Sequence, residues 1–139
     1  GRGLVAALSL GAQGVWMGTG FIANQEARAH DNYKQKSTQT NTAGAVVTRA
    51  DSGKTCRLIR NGFTESWVGR EAEIEPYPLQ GMHVGHPASL KGRIEGDVEN
   101  GVLPAGQSSG LIDQVPSAGD VVRGIVAEAD GVLRKFMAA

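Results

Sequence analysis

The segment Trp16-Met17-Gly18-Thr19-Gly20 holds the residue types in this sequence best suited to holding an anion. Main-chain N–H groups grip a phosphate well at a strand end or helix start, because there they are fixed and lack internal partners. Gly18 has no Cβ to block close approach, Thr19 adds a hydroxyl, and Gly20 keeps the bend open. The same spacing suits a tight turn with no ligand somewhat better, so on local chemistry alone both readings stand with the turn ahead.

The other reactive side chains point elsewhere. His30 sits in a polar run and is expected on a solvated surface. His83 and His86, in GMHVGHP, have the i, i+3 spacing of metal ligands on a helix. Their neighbouring glycines and Pro87 favour a loop, and no acidic or cysteine cluster completes a ligand set, so no metal is expected. Cys56 lies in an apolar and basic stretch and is expected to pack rather than react. Arg57, Arg60 and Arg70 beside Trp67 have the composition of a base-stacking face. Lys plus Arg equals Asp plus Glu at fourteen each, however, which favours a salt-bridged surface and no nucleic-acid partner. Gln107, Ser108 and Ser109 suit both a linker and the border of a site. Ser108 has no histidine or acid at motif spacing, so serine-hydrolase chemistry finds no support.

Elements must place these residues. The run GLVAALSL over 3–10 has helical apolar spacing, with Gly11 suited to the position past its end. GVWMGT over 14–19 reads as a strand apolar on both alternating sets, the pattern of a parallel strand covered on two faces. Helix, turn and buried strand in succession make an αβ unit, so the fold class is α/β. Asn24 is the expected cap of a polar helix running through EARAHDNYKQKSTQT, with Glu26 in its first turn. AGAVVTRA (43–50) and CRLIRN (56–61) are strand-like around a DSGKT turn. FTESWVGRE is a short helix with Thr64 as a cap. From 72 to 110 no period is sustained beyond a helical turn within 87–98, which reads as a covering segment. Ser117 and Asp120 have capping-box spacing before an apolar stripe of Val121, Val122, Ile125, Val126, Ala129, Val132, Leu133 and Phe136, expected to dock on a core.

Composition sets the outer bounds. The chain is 40% hydrophobic and 20% charged, within the globular range. No run approaches the length of a membrane span. A single cysteine excludes an internal disulfide and fits a reducing compartment, so a cytoplasmic location is expected. GRGLVAALSL lacks a clean cleavage site and suits a loop-to-helix entry better than a signal peptide. The start on Gly1 without methionine suggests a clipped chain.

GRGLVAALSLGAQGVWMGTGFIANQEARAH resembles the stretch of nitronate monooxygenases (formerly 2-nitropropane dioxygenases) that spans the last β/α units of their flavin barrel. TRADSGKTCRLIRNGFTESW and GQSSGLIDQVPSAGDVVRGIVAEADGVLRK resemble later segments of that family, in the family's order. The resemblance implies the C-terminal part of an eight-stranded (β/α) barrel that binds FMN at its strand ends. It assigns 1–42 to the last barrel units, 43–110 to an insertion or covering segment, and 111–139 to a closing helix. Trp16, Met17, Gly18 and Thr19 would hold the FMN phosphate, mostly through main chain. Gly1 to Gly3 would end a second phosphate loop whose leading glycines precede this chain. The family often has arginine after Gly-Thr, where Gly20 stands here. Its catalytic histidine falls upstream of residue 1, so the resemblance assigns no catalytic residue to this chain, and the chain alone is expected to be inactive. The implied reaction takes an alkyl nitronate and O2 to a carbonyl compound and nitrite. Rival readings are an FMN-dependent enoyl reductase drawing hydride from a nicotinamide cofactor, and a non-catalytic remnant or interaction module.

Overall fold

Ala45–Thr48 (β1) and Cys56–Ile59 (β2) form an antiparallel hairpin with Ala45 opposite Ile59 and Thr48 opposite Cys56, around the turn the sequence predicts. In the computed structural model, which describes residues 1–138, this hairpin is the centre of packing. Its β2 edge is extended by the segment after Gly101. Ile59 N–H donates to Leu103 O at 2.9 Å and Ala105 N–H donates to Arg57 O at 3.2 Å. One face of this unit gathers Ala50, Leu58, Phe63, Ala88 and Val102, and the other gathers Tyr33, Ile59, Leu103 and Ala105. Burial of each large apolar member contributes about 1.5–3 kcal/mol before conformational entropy is subtracted.

Asn61 ties the hairpin to the next helix and to a distant loop. It caps the short helix Gly62–Glu65 (α3), its side chain accepting from Thr64 N–H, while Thr64 Oγ1 accepts from Asn61 N–H. Thr64 therefore sits inside the helix, and the cap lies three residues earlier than its sequence-based placement. The Asn61 amide also donates to Val98 O at 2.7 Å and Gly101 O at 2.8 Å, which fixes the chain leading to Leu103.

The interval 72–110 departs most from expectation. Gly81–Gly85 and Lys91–Glu95 are π-helical turns flanking His86–Leu90 (α4), so one helical run replaces the expected irregular cover. The glycines that break the sequence period are sites of close packing. A Cβ on Gly85 would overlap the Asp51 carbonyl oxygen and strike the Asp51 side chain at 2.6 Å. Only glycine lets this helix lie against the hairpin turn.

The polar helix is also shorter than its composition suggests. It spans Asp31–Thr38 (α2) and is capped by His30, whose Nδ1 accepts from Asn32 N–H at 3.1 Å. Asn24 caps no helix; its side chain donates to Phe21 O at 2.6 Å. Glu26 does serve a helix N-terminus, but a distant one, accepting from Ala118 N–H at 2.8 Å. There its charge favours the dipole of the long helix Ala118–Met137 (α5). Ser117 caps α5 by accepting from Asp120 N–H, and its hydroxyl donates to the Asp120 carboxylate. The side-chain half of the predicted capping box is thus in place.

The helix Arg2–Ser9 (α1) ends as expected, with Gly11 at φ +92 and the two cross-turn hydrogen bonds of a left-handed cap. α1 packs on α5, and Val5 and Ala129 are the buried residues of the two helices. Val121, Ile125 and Val132 of the predicted stripe are half-buried, whereas the outer half of the stripe is not docked. Val122, Val126, Leu133 and Phe136 are 51%, 54%, 44% and 72% exposed, because the eight-residue α1 is too short to cover a helix of twenty.

Residues 14–17 correct another expectation. They run without strand pairing, and Trp16 is 98% exposed where a strand covered on both faces was expected. No neighbouring strand flanks them among the described residues, and the one sheet present is antiparallel. The fold is α/β in partial form. Among the described residues, no helix is long and apolar enough to cross a membrane.

Candidate functional site

Trp16, Met17, Gly18 and Thr19 all line one cavity of about 610 Å³. The 3₁₀ turn Gln107–Leu111 contributes Ser108 and Leu111 to its wall, and the first turns of α5 contribute Val121 and Ile125. The four residues that the sequence singles out therefore face a shared space. The turn Thr19–Phe21 follows directly, with Gly18 at its N-terminal end.

The local geometry separates the two explanations of these glycines. Gly18 has φ −92 and ψ −67, values open to any L-residue, and a Cβ built on it meets nothing within 4 Å. Neither the turn nor the packing of the described residues requires glycine there. A side chain at this position would instead project toward open space beside the cavity mouth. The N–H groups of Trp16, Met17 and Gly18 find no acceptor among the described residues. Thr19 Oγ1 accepts from Gly106 N–H at 2.9 Å, which leaves its own hydrogen to give.

Charge around the site is mixed. Asp113 and Glu128 line the cavity, and the Arg2 guanidinium lies 3.5 Å from Glu128. Two adjoining cavities share Gly18. One, of about 390 Å³, is lined by Arg28 and Arg93; the other, of about 420 Å³, by Arg57. Neither Arg28 nor Arg93 forms an ion pair among the described residues. Sequence reasoning missed both, since they lie far apart along the chain and belong to no motif. Gly20 leaves a local cation absent, yet three guanidinium groups border the cavities around Gly18.

The remaining candidates sit apart. Ser108 reaches the cavity wall, Gln107 is exposed, and Ser109 is fully buried with its hydroxyl donating to Gly106 O at 2.8 Å. His30, His83 and His86 do not line the cavity. His83 Nδ1 lies 2.7 Å from Glu75 Oε2 on the surface, in a helical turn rather than the expected loop. No three His, Cys, Asp or Glu side chains group to hold a metal among the described residues. Cys56 is half-buried against the first core cluster, with burial and then the Asp51 charge pushing its thiol up to about 11. Arg60 and Arg70 pair with Glu65 and Glu73, as a salt-bridged surface requires, whereas Arg57 donates to Ala45 O.

Known proteins are similar to this chain. A family model described as nitronate monooxygenase matches residues 1–128. A probable nitronate monooxygenase from Staphylococcus saprophyticus is 33% identical over 97% of this chain and 38% of its own length. One from Staphylococcus haemolyticus is 42% identical over 58% of this chain and 22% of its own length. The chain thus spans well under half the length of these curated relatives. Among solved structures, FabK from Thermotoga maritima aligns at TM-score 0.84 and 34% identity, covering 99% of this chain and 43% of that one. Nitroalkane oxidase from Streptomyces ansochromogenes aligns at TM-score 0.76 and 29% identity, covering 94% and 38%. With its glycine-lined bend, its hairpin and the first half of α5 inside the matched span, the chain belongs to the nitronate monooxygenase family.

Proposed function

We propose that this chain is the C-terminal part of an FMN-dependent nitronate monooxygenase, and that Trp16 to Thr19 hold the cofactor's phosphate. The observation that carries this reading is the unpartnered run of N–H groups beside a glycine that its own turn does not require. The donor set fits a phosphate: main-chain N–H groups without internal partners, one oriented hydroxyl, and no side chain in the way. When bound, FMN would supply the redox chemistry by which an alkyl nitronate and O2 give a carbonyl compound and nitrite. This chain's own contribution is to anchor the anionic tail, to line the adjoining cavity with Leu111, Val121 and Ile125, and to exclude water there. The catalytic base belongs upstream of residue 1. In this reading 1–42 supply the last barrel units, 43–110 an inserted segment, and 111–139 the closing helix. The partners are a small nitronate and O2, without nucleic acid or membrane, in the cytoplasm.

The test is nitrite release from an alkyl nitronate by the full-length flavoprotein under air. Nitrite formation without nicotinamide supports the reading; a protein that loads FMN and forms none contradicts it. One observation favours a second reading, a reductase of the FMN-dependent enoyl-reductase type. The similarity to FabK, at TM-score 0.84, exceeds that to nitroalkane oxidase, at 0.76. NADH consumption by the same protein separates the two. A non-catalytic module would do neither.

A further inference from the structure

We infer that Tyr33 is a positioning residue for the Thr19 hydroxyl, so that α2, which contributes no phosphate donor, tunes phosphate affinity. The inference rests on the flavin reading above. Thr19 Oγ1 accepts from Gly106 N–H at 2.9 Å and donates to no acceptor among the described residues. A hydroxyl has one hydrogen and two acceptor sites, so the place of Gly106 sets the direction in which Thr19 can donate.

Gly106 ends the strand-like segment running along β2. Leu58 and Pro104 face each other in an antiparallel bridge whose hydrogen bonds come from the residues on either side, Ile59 to Leu103 and Ala105 to Arg57. In such a non-hydrogen-bonded pair the main-chain groups of both residues point outward. Proline is tolerated there because its missing N–H would face away from β2. The outward carbonyl of Pro104 still needs a donor, and the Tyr33 hydroxyl supplies one at 2.6 Å. Tyr33 is 2% exposed and packs with Ile59, Leu103 and Ala105. Burial raises its phenol far above the ordinary value, which keeps the donor proton in place. From the other side Ser109 Oγ donates to Gly106 O at 2.8 Å. The segment 104–106 is therefore held at Pro104 by a buried tyrosine and at Gly106 by a buried serine, and Thr19 inherits that geometry.

The test measures FMN and riboflavin binding by the full-length flavoprotein, since riboflavin shares the ring and ribityl chain but lacks the phosphate. Thr19→Val is expected to weaken FMN about tenfold and leave riboflavin unchanged. Tyr33→Phe is expected to weaken FMN about threefold or more, again with riboflavin unchanged. The double variant is expected to bind FMN no more weakly than Thr19→Val alone, because both changes act through one hydroxyl. If Tyr33→Phe weakens both flavins alike, or adds fully to Thr19→Val, its role is only structural and the inference fails. If Thr19→Val leaves FMN binding intact, the hydroxyl holds no phosphate and the inference fails; if the full-length protein binds neither FMN nor riboflavin, the flavin reading itself fails. Should Tyr33→Phe not fold, Ser109→Ala loosens Gly106 from the opposite side and must show the same selective, non-additive loss; an equal loss for both flavins overturns the proposal.

Discussion

At the scale of single residues, two side chains far from the cavity govern properties that can be measured directly. Asn61 satisfies Val98 O, Gly101 O and Thr64 N–H at once from a buried position. Asn61→Ala strands these groups and is expected to lower unfolding stability by about 3 kcal/mol, read from denaturant midpoints; a loss within experimental error would show the clamp to be dispensable. Cys56 keeps its proton in the folded state to about pH 11, whereas an unfolded thiol ionises near about 8.5. Folded-state protonation is therefore favoured, and the stability it represents is present below the unfolded value and lost as pH rises from there toward 11. Alkylation of Cys56 in the native chain is expected to reach half its maximal rate near pH 11. A midpoint close to that of a free thiol would contradict the burial assigned to it. Residue chemistry was legible where it was local: the Ser117 cap and the packing of Cys56 follow from nearest neighbours. Tyr33, Arg28 and Arg93 could not be read in this way, because their partners are brought to them by the fold.

At the scale of elements, the hairpin was readable and the helices less so. β1 and β2 have β-branched or apolar residues around a glycine turn, and their pairing follows from local pattern. Helical pattern failed where glycine served packing. Gly81, Gly85 and Gly92 look like breakers, yet they lie within the run through α4 and its π-helical flanks, where Gly85 meets Asp51. The polar helix misled in the opposite direction, since Glu26 carries the signature of a helix start but serves α5. These two kinds of glycine make opposite predictions. Gly85→Ala forces a methyl into Asp51 and is expected to cost about 3 kcal/mol. Gly124→Ala, in α5 with nothing within 4 Å of the new methyl, is expected to stabilise the chain by roughly 0.8–1 kcal/mol through helix propensity. Thermal melts of both variants check the pair, and a shift of the same sign in each would overturn the distinction.

At the scale of the whole molecule, the family was legible because its motifs are contiguous, whereas the absence of pairing at 14–17 was not. A sequence pattern reports that a strand is suited to two buried faces, but burial needs neighbours. Residues 15–17 lie open, with Trp16 at 98% exposure, and their N–H groups lack acceptors among the described residues. An unpaired segment of this kind holds an anion loosely, since its donors are not held in one geometry. The 139-residue chain by itself is therefore expected to bind FMN only weakly; micromolar affinity in a fluorescence titration would contradict this. The most direct measurement is a crystal structure of the full-length protein with FMN bound. The expected result is the phosphate within about 3 Å of Gly18 N and Thr19 Oγ1. A phosphate held by other residues, with that bend turned away from the cofactor, would contradict the assignment.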